Sequence, residues 1–203
     1  DYFCLNSYCV CADWLNWNTI WWKGIDPAGE HKKWGYALWD EDATFGHYGN
    51  FTGIPDQSAD ADPCTVENLG DPGGQGHTLI LNKLISENEM VHTYYVNRYI
   101  DLGNTLFSCA TMNAHLDSLL AMVTPEMPAQ CARWGTTMAN WEAGVQALRD
   151  FIDARCVTTQ QGLVDCYDLE GPFNVEFRVE PPLSGKIRVN SEVLATYPFS
   201  GVY

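Results

Sequence analysis

The sharpest chemical pattern in the chain is Trp39-Asp40-Glu41-Asp42-Ala43-Thr44-Phe45-Gly46. Asp40 and Asp42, two residues apart at the end of an aromatic run, offer oxygen donors along one edge, which suits a hard divalent cation. The same residues also read as an acidic turn after a strand. A second pattern lies upstream, Asp13-Trp14-Leu15-Asn16-Trp17-Asn18. It pairs a carboxylate that can orient or deprotonate a hydroxyl with an amide that can ligate a metal.

Asp followed five residues later by Asn is also the spacing of the protein-kinase catalytic loop. Taken alone this spacing is common by chance. Its order gives it weight, because a catalytic loop, a short hairpin and then an Asp next to Phe-Gly is the succession that kinases use. Charge adds a requirement. From Lys33 to Lys83 there is no intervening Lys or Arg, while Asp40, Glu41, Asp42, Asp56, Asp60, Asp62, Glu67 and Asp71 all fall there. Such a site attracts a polyphosphate only through a divalent cation, so Mg²⁺ or Mn²⁺ belongs to this reading. Ca²⁺ at the loop carboxylates Asp56, Asp60 and Asp62 is the competing use, and a solvated acidic loop is the plain one.

Other features weigh less. Asp71 to His77 is glycine-rich and could cradle an anion at a helix start, but it lacks the Lys and Ser/Thr of a P-loop and reads better as a turn capped by Thr78. His47, His77, His92 and His115 have no metal-ligand spacing. No G-x-S-x-G is present, and Asn50-Phe51-Thr52 is a glycosylation sequon. Trp14, Trp17, Trp21, Trp22, Trp34 and Trp39 could stack sugars, although their positions on a helix and a hairpin point to core packing.

The elements that must position these residues follow from periodicity. Tyr2 to Trp17 suits a mostly buried helix, and Thr19–Lys23 with Trp34–Trp39 suits a β-hairpin. Asp40 to His77 reads as a long loop of the functional kind. Helices are expected from Thr78 to Ile85, Glu87 to Leu102, Thr111 to Val123 and Pro128 to Arg155. After Cys166 the period changes to two, at Asn174–Val179 and Lys186–Val189, and a hairpin about Pro-Pro-Leu-Ser-Gly is expected. The fold class is α+β, an α-rich lobe followed by the start of a β-sandwich-like domain. The division expected is 1–156 and 157–203.

The chain has 203 residues with 11 Lys+Arg against 26 Asp+Glu, a formal charge of -15, and 46% hydrophobic residues. That content supports a packed core, and the acidity disfavours nucleic acid as a partner. No apolar run approaches the roughly 18 residues of a membrane span. The eight cysteines include no C-x-x-C pair, so disulfides in an oxidising compartment are favoured over zinc. Cys156–Cys166 is the bridge expected first, and a secreted or cell-surface location follows.

Asp13 to Gly46 resembles the C-terminal lobe of the CotH family of atypical protein kinases. Gly70–His77, Pro125–Pro128, Arg133-Trp134 and Leu148–Ile152 extend the likeness to roughly residue 156, and the W-D-x-D-x-T-F-G element is its specific part. Gly185–Asn190 and Tyr197–Gly201 are similar to the β segment that often follows this domain in large secreted bacterial proteins. The resemblance implies a kinase-like lobe, ATP with Mg²⁺ or Mn²⁺ as cofactors, and a protein substrate bearing Ser/Thr hydroxyls. It implies Asp13 as the catalytic-loop carboxylate and Asn18, Asp40 and Asp42 as metal ligands. The family's nucleotide-gripping lobe is expected upstream of Asp1, so the chain by itself is expected to be inactive. The alternative is a non-catalytic secreted surface or adhesion module with a Ca²⁺-binding acidic loop.

Overall fold

The computed structural model describes residues 1–15, 17–50, 53–71, 74 and 76–203. They form two compact units, Asp1–Val96 and Asn97–Tyr203. The fold is α+β, helices with small antiparallel strand pairs.

The first unit opens with α1, Tyr2–Tyr8, which buries Cys4, Asn6, Ser7 and Tyr8. The helix expected to reach Trp17 stops there because Val10 takes a left-handed backbone, φ 50, a costly conformation for a β-branched residue. The freed backbone groups find other partners: Cys11 N donates to Asn6 O at 3.0 Å, Ala12 N to Ala43 O at 2.7 Å, and Phe45 N to Cys9 O at 2.8 Å. Residues 9–12 are thereby laced to residues 43–45.

Strands β1, Thr19–Trp22, and β2, Gly35–Leu38, pair antiparallel with Thr19 opposite Leu38 and Trp22 opposite Gly35. Gly35 is needed at its place, since a Cβ there would meet the Trp22 indole at 3.1 Å. One face of the hairpin is packed, with Tyr36 stacked on Tyr2 (centroids 4.4 Å apart) and edge-on to Phe3 and His77. The expectation that the tryptophans fill the core holds for Trp14, which is 1% exposed, and fails for Trp17, Trp21, Trp22, Trp34 and Trp39, all exposed. A two-stranded hairpin covered on one side cannot bury both of its faces.

Among the described residues, the loop region from Asp40 to Gly76 contains one short helix, α2, Thr65–Asn68. It is tied to α1 by the Ser7 hydroxyl, which donates to Pro63 O at 2.6 Å. Helix α3, His77–Glu87, follows Gly76 at φ 80. Thr78 does not cap it as expected; its hydroxyl donates to the Gly70 carbonyl instead. Pro72, Gly73 and Gln75 of the glycine-rich stretch, and Phe51 and Thr52 of the sequon, lie outside the described residues. The Gly76 N–H, the donor an anion cradle would use, is taken by Asp71 Oδ1 at 2.9 Å.

Helix α4, Glu89–Asn104, crosses from the first unit into the second. Helix α5, Cys109–Val123, is capped by Ser108, whose side chain accepts from Thr111 N. The single helix expected over Pro128 to Arg155 is two: α6, Met127–Trp134, closed by Gly135 at φ 71, and α7, Met138–Tyr167, capped by Thr137. Glycine in the left-handed C-cap and a threonine N-cap two residues later break a pattern that periodicity alone reads through. Helix α7 also runs through the expected division at 156/157.

Continuity of α7 overturns the Cys156–Cys166 bridge. Ten residues of helix span about 15 Å, beyond the about 7 Å limit between bridged Cα atoms. Cys156 is instead joined to Cys109 on α5, with Cα atoms 5.4 Å apart. Cys166 is itself disulfide-bonded. Arg149 reinforces the same helix pair, reaching Asn113 Oδ1 at 2.7 Å and Asp117 Oδ1 at 2.5 Å.

The tail strands do not pair about the Pro-Pro turn. Strand β3, Asn174–Phe177, pairs with β6, Phe199–Val202, and β4, Arg188–Val189, pairs with β5, Glu192–Val193. Long-range docking on α4 selects this arrangement. Asp101, fully buried, accepts from Ser191 N at 2.7 Å and Ser191 Oγ at 2.6 Å, and Asn104 bonds Val202 through both its amide atoms. Among the described residues, no helix is long and apolar enough to cross a membrane.

Candidate functional site

The hairpin register assembles the site. Because Thr19 lies opposite Leu38, Asn18 and Asp40 flank the same end of β1–β2. Both have left-handed backbones, φ 53 and φ 55, a conformation that Asn and Asp tolerate better than other side chains. The Ala12–Ala43 backbone bond then draws Asp13 to the segment that carries Asp42. Asn18 thus contacts Asp13, and Asp40 and Asp42 lie close enough to act on it by charge.

Asp13 is 9% exposed. Its Oδ2 accepts from Asn18 Nδ2 at 3.0 Å, and its Oδ1 lies 3.9 Å from the Cys11 thiol. Burial pushes its pKa up from the usual carboxylate value; the Asn18 hydrogen bond opposes this, and the charges of Asp42 and Asp40 add to it. Asp40 and Asp42 are exposed. Among the described residues no group of three or more His, Cys, Asp or Glu side chains is gathered to hold a metal. The carboxylates act on Asp13 through charge, without forming a closed cage.

Oxygen donors are nevertheless the right kind. Two exposed carboxylates and an amide suit Mg²⁺, which keeps several waters and takes further oxygens from substrate phosphates. The loop carboxylates Asp56, Asp60 and Asp62 are all exposed, and Asp56 Oδ1 is engaged by Ser58 N at 2.8 Å.

Sequence reasoning passed over Cys11 and Glu41. Cys11 is 1% exposed, and burial together with the Glu41 and Asp13 charges pushes its thiol far up. Glu41 is half-buried, with Oε1 shielded from solvent and without a hydrogen-bond partner. Burial is also the leading reason that its carboxyl sits above the usual range. Trp14 packs near His77, itself 2% exposed, and the Tyr36 hydroxyl is 3.5 Å from His77 Nδ1.

Searches of curated proteins and of solved structures return no match for this chain. One family profile, described as CotH kinase protein, matches residues 1–158 and takes in the whole cluster from Asp13 to Asp42. The chain therefore belongs to the CotH kinase protein family.

Proposed function

We propose that the protein is a secreted or cell-surface atypical protein kinase that transfers phosphoryl groups from ATP to Ser/Thr hydroxyls of a protein. The observation that carries this reading is the convergence of Asn18 and Asp40 at one end of the hairpin with Asn18 bonded to Asp13. In this reading Asp13 orients the acceptor hydroxyl and takes its proton. Asn18, Asp40 and Asp42 would hold Mg²⁺ or Mn²⁺, and the bound ion would neutralise charge on the transferring group. A partly buried carboxylate with raised basicity suits the proton-accepting role. The Cys109–Cys156 disulfide supports an oxidising compartment.

Radiolabelled ATP with Mn²⁺ is the direct assay, run on this chain beside one extended upstream of Asp1. Label transferred by the extended chain, and abolished by Asp13→Ala and Asp40→Ala, is expected. Equal labelling by Asp40→Ala and wild type would refute the assignment.

A non-catalytic Ca²⁺-binding module is the second reading, favoured by the exposed carboxylates Asp56, Asp60 and Asp62. Calorimetry separates the two. The kinase reading expects nucleotide affinity that depends on divalent metal, and the module reading expects Ca²⁺ affinity without nucleotide.

A further inference from the structure

Behind Asp13 sits a thiol between two carboxyl groups. Cys11 Sγ is 3.9 Å from Asp13 Oδ1, and the Glu41 charge acts on the same thiol. Three backbone features hold Cys11 in place: the left-handed Val10, the Cys11 N to Asn6 O bond of 3.0 Å and the Ala12 N to Ala43 O bond of 2.7 Å. Strain at a β-branched residue persists only where its surroundings over-determine it, and such strain gathers at functional sites.

The arrangement adds little net stability, although the contact couples Cys11 to Asp13. The thiol is a weak donor to Asp13, and Glu41 Oε1 beside it is left without a hydrogen-bond partner. What it supplies is a defined orientation. Asn18 holds Oδ2 of Asp13 and Cys11 holds Oδ1, so the carboxylate plane is set from both sides while each oxygen keeps a lone pair.

We propose that Cys11, backed by Glu41, is a positioning residue that fixes the carboxylate plane of Asp13 toward the acceptor hydroxyl. This rests on the reading of Asp13 given above. The thiol acts through Asp13 and has no part in bond making.

The test has two arms. In the upstream-extended chain, with ATP, Mn²⁺ and dephosphorylated casein as the probe acceptor, Cys11→Ala is expected to lower kcat about tenfold with KM for ATP unchanged, as loss of orientation should. Cys11→Ser, which restores a donor, is expected to recover most of that rate. In the 203-residue chain, urea unfolding of Cys11→Ala, Asp13→Asn and the double variant is expected to show non-additive midpoints. Wild-type kcat in Cys11→Ala, equal losses in the Ala and Ser variants, or additive midpoints would each overturn the inference. Turnover that survives Asp13→Asn would remove the role of Asp13, no turnover at all by the extended chain would remove the kinase reading, and the role of Cys11 would fall with either. A non-additive cycle would then show the contact alone, which keeps the two failures apart.

Discussion

Asn18 donates from Nδ2 to Asp13 Oδ2 at 3.0 Å across five residues, and it does so from a left-handed backbone immediately before β1. The contact joins the end of the loop that follows α1 to the start of the hairpin, so the position of the candidate carboxylate depends on the strand register. Its consequences can be measured.

Asn18→Ala loses both the donor and a side chain tolerant of φ 53. A loss of about 1–2 kcal/mol in urea unfolding is expected, left-handed Ala and a missing hydrogen bond being the causes. Asn18→Gly removes the bond but relaxes the backbone, so it should be the more stable variant of the two. An Ala variant as stable as the Gly variant would argue against the strained backbone.

Asp13→Asn should raise stability at neutral pH. An acid whose folded pKa lies above its unfolded one binds more protons when folded, so stability falls as pH rises through that window. The buried Asp13, raised by burial first, opposes folding once ionised, and Asn carries no such charge. Thermal melts should show the advantage of Asp13→Asn at pH 7, and should show it shrinking as pH drops toward the unfolded carboxylate value of about 3.9. No difference at either pH would mean that the carboxylate is well solvated.

His77 works in the opposite sense. Burial lowers its pKa, with Asp71 opposing. The unfolded chain therefore binds the extra proton, and stability falls as pH drops below about 6.5, the ordinary histidine value. His77→Gln should flatten the dependence of the melting temperature between pH 7.5 and 5.5. An unchanged slope would place the acid sensitivity elsewhere.

Loss of the Cys109–Cys156 bridge should be costly. It closes a loop with a sequence separation of 47, for which chain entropy gives about 4 kcal/mol. A Cys109→Ala/Cys156→Ala double variant should unfold at markedly lower urea concentration. The α5–α7 contacts of Arg149 with Asn113 and Asp117 should limit the loss to less than a full unfolding of the second unit. Circular dichroism of the variant checks the retained helix.

Much of the lobe could be read from local pattern. The β1–β2 hairpin, α3, α4 and α5 lie close to where alternation and 3.6-residue periodicity put them, because each buries one face that its own residues define. The order Asp13, Asn18, hairpin, Asp40 was likewise visible, and membership of the CotH kinase protein family is legible in the same residues.

Tertiary structure decided what local pattern leaves degenerate. Val10 ends α1 early because the chain must return to Ala43 and Cys9 must accept from Phe45. Gly135 divides α6 from α7 where the apolar period continues across the break. Cysteine pairing depends on which helices lie side by side, so Cys156 meets Cys109 and not its sequence neighbour Cys166. Strand pairing in the tail follows from docking on Asp101 and Asn104 of α4. In the site, the sequence by itself determined which groups are available, and the hairpin register with the Ala12–Ala43 bond decided that Asn18 bonds Asp13 while Asp40 and Asp42 act on it by charge. That division has one physical reason: side-chain chemistry and short-range periodicity are local, whereas burial, pairing and the approach of charges are set by residues far away in the chain.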